Sequence, residues 1–154
     1  MIESQKRAAL VSCGPAVLVS AAVLAPYLAA AGYSALALAI VFFFSPVCHQ
    51  DPVRSFWVFG GPVAVCARCL GIYLGAAAGA WIPAPRRVLL AGLALFATLN
   101  LADVLTEASA WHGNWLGVRF ALGLVLGGAA SGLVAEALTS GAKARGLVRP
   151  LRHG

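Results

Sequence analysis

Apolar positions along this chain gather into five long runs, at about residues 8–24, 27–47, 63–82, 88–105 and 116–138, and the polar residues collect where the runs end. A hydrocarbon core of about 30 Å asks for roughly 20 apolar residues per helix, so each run predicts a transmembrane helix. The expected fold class is all-α: a polytopic integral membrane bundle of about five transmembrane helices, a four-helix core preceded by one N-terminal helix. The corresponding division is 1–26 for the N-terminal tail and first helix, 27–138 for the four-helix core, and 139–154 for a basic tail.

Composition supports the same class. The chain is 61% apolar and 10% charged, against about 25% charged for soluble domains. Two processing signals compete at the N-terminus. Lys6 and Arg7 before an apolar run that reaches Ala29-Ala30-Ala31 resemble a signal peptide, and Leu10-Val11-Ser12-Cys13 resembles a lipoprotein cleavage site. The apolar stretch before Cys13 is short, and the one before Ala31 is long and carries Pro15 and Pro26, so a retained first helix is expected. No repeat of solenoid-like period is visible.

The net charge of +6 is concentrated. Arg86 and Arg87 sit in one turn, while Lys143, Arg145, Arg149 and Arg152 form the tail. Two predicted crossings separate these groups, which puts them on one side, and the positive-inside rule assigns that side to the cytoplasm. With five crossings, Lys6, Arg7 and Arg54 fall opposite. The basic tail suits anionic lipid headgroups. No folded basic surface with interleaved aromatics accompanies it, so no nucleic-acid partner is expected. Oligomeric state has no signature in the sequence.

Alternating helices place Cys48, His49, Cys66, Cys69, Asn100, Asp103, Glu107, Asn114 and Arg119 at one membrane face, the expected extracytoplasmic one. Within the third run, Cys66, Cys69 and Tyr73 share one helical side, and Gly71, Gly75 and Gly79 lie roughly opposite. The glycines predict a close seam against Gly123, Gly127, Gly128 and Gly132 of the fifth run, since small residues let helix backbones approach in lipid. Asn100, Asp103 and Glu107 form a polar stripe. A carboxylate at that depth needs a partner, and Arg119 is the expected partner of Asp103. The polar pocket would thus comprise Arg54, Arg68, Tyr73, Asn100, Asp103, Glu107, Asn114 and Arg119.

The cysteines admit two chemistries. Cys48, Cys66 and Cys69 with a nitrogen from His49, or alternatively from His112, would complete a tetrahedral set for zinc or another thiophilic metal. Otherwise Cys66 and Cys69 would cycle between dithiol and disulfide, with Cys48 exchanging, because a helix N-terminus and Arg68 activate a thiol. That second reading resembles vitamin K epoxide reductase and the bacterial disulfide-bond membrane oxidases in outline, and would bring in a quinone. Those relays use two cysteine pairs, whereas Cys13 lies too deep to pair with Cys48. A third reading is a transporter or lipid-headgroup enzyme built on Asp103, Glu107 and Arg119. Trp57, Phe59, Trp111 and Trp115 fit the headgroup layer, which aromatic rings favour.

At these residues the chain resembles an uncharacterised family of prokaryotic membrane proteins, domain of unknown function 2085. The resemblance rests on Cys48, His49, Gln50, Arg54, Ser55 and Phe56, then Cys66, Arg68, Cys69, Gly71, Ile72, Tyr73 and Gly75, then Asp103, and finally Asn114, Arg119 and Gly123, covering about 44–127. It implies a membrane protein with an intact signature and brings no settled activity.

Overall fold

The structure is a computed structural model that describes residues 2–109 and 113–147, with side chains from 5 to 109 and from 113 to 141. It contains five α-helices: α1 (Ile2–Ala30), α2 (Ser34–Phe44), α3 (Ala67–Gly79), α4 (Arg86–Ala108) and α5 (Leu116–Leu147). Three of them, over Gln5–Ala30, Arg86–Ala108 and Leu116–Gly141, are long and apolar enough to cross a membrane. Between α2 and α3 lie a short 3-10 turn (Pro52–Arg54) and a small antiparallel hairpin, β1 (Trp57–Val58) and β2 (Gly61–Pro62). His112 and Trp111 lie outside the described residues.

The helix pattern departs from the hydropathy runs in an instructive way. α1 continues through Pro15 and Pro26 to Ala30. It then stops at Gly32, whose φ of +88° is a left-handed conformation that glycine adopts without strain. The Gly32 amide donates to Ala29 O at 3.1 Å and the Tyr33 amide to Leu28 O at 2.8 Å, the paired bonds of a Schellman cap. The run 27–47 is therefore divided between the end of α1 and a second helix of 11 residues. At about 1.5 Å per residue α2 is too short to cross by itself.

Packing gives the directions. The tight turn folds α2 back along the C-terminal half of α1, and Phe44, at its end, is buried with Ala22, Ala25, Cys48, Ala64 and Val65. The Ala64 amide donates to Ala22 O at 3.1 Å, so α3 starts beside the level of α1 where α2 stopped. Ala80, Trp81 and Ile82, just past the other end of α3, share a cavity with Gln5 and Ala8 of α1. Both short helices thus run antiparallel to α1, one after the other, so the backbone makes four lengthwise passes of the bundle: α1, the interrupted α2–α3 pass, α4 and α5.

This geometry corrects one expectation. Lys6 and Arg7 do not lie opposite the basic turn; the Arg7 guanidinium donates to Leu138 O of α5, and the N-terminal part of α1 sits with the 80–84 turn and the C-terminal part of α5. The reason is that hydropathy counts apolar length, and α2 and α3 supply the apolar length of two crossings while running in one direction.

The expected glycine seam is present between α3 and α5. A methyl group on Gly71 or Gly75 would overlap the Phe120 and Leu124 carbonyl oxygens, and one on Gly123 or Gly127 would overlap those of Arg68 and Ile72. Backbone meets backbone along the whole contact, which holds the start of α3 rigidly against the start of α5. Leu89 of α4 fills the space beside Gly132.

Candidate metal-thiolate site and the ion-pair chain beside it

The connection from 45 to 66 carries most of the candidate chemistry, and local bonds fix it. A proline has no amide proton, so Pro26 leaves the Ala22 carbonyl without its helical donor. The Ala64 amide takes that acceptor. From the other side, the Gln50 side-chain amide donates to Ala64 O at 2.9 Å and to Val41 O at 2.6 Å. Gln50, itself at φ +52°, ties the end of α2 to the segment that leads into α3. Ala64 and Val65 are buried, and the chain enters α3 with Cys66 as its N-cap in an extended conformation.

Three sulfurs meet there. The Sγ atoms of Cys48, Cys66 and Cys69 lie within 4.8 Å of one another, and none is in a disulfide. Cys48 is buried, and its Sγ accepts the Cys66 backbone N–H at 3.2 Å. The positive end of the α3 dipole faces the same point, an arrangement that suits anionic sulfur. Tyr73, one turn further along α3, packs with Phe44 at a ring separation of 6.0 Å and closes the cluster from below. His49 is exposed and stands outside the sulfur group, although it lines the cavity next to it.

Beside the sulfurs runs a chain of alternating charges. Asp51 pairs with Arg54 at 3.3 Å, Arg54 with Glu107 at 3.3 Å, Glu107 with Arg119, Arg119 with Asp103 at 3.5 Å, and Asp103 with Arg68. Asp103 and Arg119 are 8% and 3% exposed. Charges so removed from water are tolerated when opposite charges surround them. The expected Asp103–Arg119 pair is present, and four further links, Arg68–Asp103, Glu107–Arg119, Arg54–Glu107 and Asp51–Arg54, extend it from α3 to the loop. Arg68 stands between Cys66 and Cys69 in sequence, so the charge chain and the thiols share one helical turn.

A cavity of about 420 Å³ opens between the two groups, lined among others by Cys48, His49, Cys66, Arg68, Cys69 and Glu107. Two residues of the expected pocket serve elsewhere. The Asn100 amide donates to Phe96 O of its own helix at 2.8 Å, and the Asn114 amide donates to Val53 O, tying the start of α5 to the 3-10 turn. Ser55 is buried and donates to Asp51 O at 2.9 Å, and Phe56 meets Phe120 edge-on at 5.6 Å. Trp57, Phe59 and Trp115 are exposed, consistent with an interfacial position.

The interrupted α2–α3 pass explains how this much polar backbone is accommodated. α2 presents Leu36, Leu38, Phe42 and Phe43 outward, and α1 continues past Ala22 for about 12 Å of helix. Irregular backbone among apolar exteriors is stable where protein covers it or a cavity hydrates it, and the 45–66 segment has both.

Comparison with known proteins identifies the class. The chain belongs to the family described as predicted membrane protein (DUF2085), whose model matches residues 48–133. It is also 44% identical over 61 residues to an uncharacterized protein of Methanocaldococcus jannaschii, a match that covers 36% of this chain and 39% of that protein. The chain therefore spans well under half the length of this relative. No solved structure matches. The matched segment starts at Cys48 and contains the three sulfurs, the Arg68–Asp103–Arg119 core and the glycine seam, and leaves out α1 and α2.

Proposed function

We propose that this protein is a small membrane protein that binds a thiophilic metal ion, zinc or a similar ion, through Cys48, Cys66 and Cys69. The observation that carries this reading is the convergence to within 4.8 Å of three free thiols, two from the first turn of α3 and one from the connection after α2. Zinc-sulfur bonds of 2.3 Å put sulfurs about 4 Å apart, so the cluster closes on an ion by side-chain rotation alone. His49 at the cavity wall is the nitrogen donor we favour for a fourth position, with His112 as its alternative.

Sidedness follows from charge. Lys6, Arg7, Arg86 and Arg87 gather at one end of the bundle with the C-terminal part of α5, so the positive-inside rule puts this end in the cytoplasm. The thiol site then opens on the extracytoplasmic side.

Metal analysis of the purified full-length chain tests the proposal. Wild-type protein is expected to carry about one zinc-like ion per chain, as one four-coordinate site would, and C66S and C69S to lose it. A metal-free wild type whose Cys66 and Cys69 are trapped alternately as dithiol and disulfide would replace this reading with the redox one.

A further inference from the structure

The opposite end of the bundle holds a second cavity, of about 450 Å³, walled by α1, the turn after α3 and the C-terminal part of α5. Three features there favour positive charge. Glu136 lines it: Ser140 Oγ donates to Oε1 at 2.7 Å, while Oε2 is buried and has no hydrogen-bond partner among the described residues. The C-terminal end of α3 also borders the cavity at Ala80 and Trp81, and a helix C-terminus carries negative partial charge. Trp81 adds an indole ring, the aromatic face that cations prefer.

We propose that this cavity binds an organic ammonium group, with Glu136 as its counter-ion and Trp81 as its aromatic wall. Among the described residues no cation pairs with this carboxylate, and a carboxylate at the end of a membrane bundle is costly without one. The neighbouring arginine does not supply one inside the cavity, since Arg7 donates to Leu138 O and does not line the wall. Hard metal ions take six or more oxygens. Here one carboxylate, the Ser140 and Thr139 hydroxyls and an aromatic ring fit an ammonium better. Thr139 already donates to Ala135 O at 2.8 Å, which leaves its oxygen as an acceptor. Exposed Arg86 and Arg87 follow directly in the chain, where they suit the phosphate of an aminophospholipid whose amine enters the cavity. A free small amine carries the same ammonium.

The site is remote from the thiols, so its test is independent of them. Full-length protein in detergent would be titrated with short-chain phosphatidylethanolamine, phosphatidylcholine and phosphatidylglycerol, with binding read by native mass spectrometry. Free ethanolamine serves as competitor. The amine lipids are expected to bind at least about tenfold more tightly than phosphatidylglycerol, and E136Q to remove that preference, a factor that corresponds to 1.4 kcal/mol. The conservative W81F should retain binding that W81A loses, which separates ring recognition from a folding defect. Displacement by free ethanolamine identifies the bare ammonium as sufficient; absence of displacement assigns recognition to the whole headgroup. Equal binding of phosphatidylglycerol, or an undiminished preference in a folded E136Q, overturns the proposal.

Discussion

The amide of Ala64 donates to the carbonyl of Ala22, and that carbonyl is available because the residue four positions on, Pro26, has no amide proton to give it. A helix defect in α1 thus becomes the docking point for the segment that delivers Cys66. Replacing Pro26 with Ala would restore the helical donor, which competes for the same oxygen and leaves the buried Ala64 amide without a partner. Helical propensity improves by ~3 kcal/mol, so helix content should not fall. The site should loosen instead: the loss of one net hydrogen bond, about 1 kcal/mol, predicts several-fold faster alkylation of Cys48 and Cys66 by a maleimide. Unchanged labelling rates in P26A would remove this role from the proline.

The glycine seam makes a sharper contrast between neighbouring positions. At Gly75 a methyl would overlap the Leu124 carbonyl, whereas at Gly128 the nearest atom is the Gly75 oxygen at 3.6 Å, ordinary contact. Backbone cannot rotate away as a side chain can, so G75A should cost at least the 1–3 kcal/mol typical of overpacking. G128A should be close to neutral. Thermal unfolding in one detergent, wild type against both variants, reads the difference, and equal melting temperatures would mean that α3 and α5 are not in backbone contact.

The charge chain predicts a gradient from inside to outside. Asp103 sits between Arg68 and Arg119, so D103N leaves two guanidiniums facing a neutral amide, and breaking a buried pair from one side costs about 3–5 kcal/mol. Arg54 is nearly half exposed, and its pairs with Asp51 and Glu107 are screened by solvent. R54A should cost less than about 1 kcal/mol. Chemical unfolding in mixed micelles gives the ranking, D103N well below R54A; the reverse order would relocate the buried centre of the chain toward the loop.

Much of this architecture could be read from residue spacing. Gly71, Gly75 and Gly79 announced a seam because a four-residue repeat lies on one helical face, and Asp103 announced a cationic partner because an unpaired carboxylate is expensive in lipid. The direction of α2 could not be read this way. Gly32 was visible inside the run 27–47, but only tertiary packing decides that the chain turns back along α1 and that α2 and α3 then run in series. α1 passes through Pro26, and Ala64 takes the acceptor that the proline freed, a pairing no local spacing reveals. Arg68–Asp103 and Arg54–Glu107 join separate elements and have no local spacing to reveal them. Gln50 gave no hint of bridging Val41 and Ala64, since both acceptors are backbone carbonyls.

The interrupted α2–α3 pass makes a prediction about topology that differs from five alternating spans. With α2 and α3 in series, the N-terminal end of α1 and the C-terminal end of α5 lie at the same end of the bundle, and Arg7 reaches Leu138. Single cysteines introduced at Gln5 and at Gly141, in a background with the native cysteines replaced by serine, should therefore react with a membrane-impermeant maleimide from the same side. One introduced at Gly60, in the β-hairpin turn with φ of +80°, should react from the other side. G60C carries a strain that glycine avoids there, so V58C on the adjacent strand is the companion variant. With the orientation proposed from the positive-inside rule, the hairpin cysteine should label at once in intact cells and the two terminal ones only after lysis. Labelling of Gln5 and Gly141 from opposite sides would restore an odd number of crossings, and would require α2 to traverse the membrane alone with 11 residues, about 16 Å of helix against the ~30 Å it would have to span.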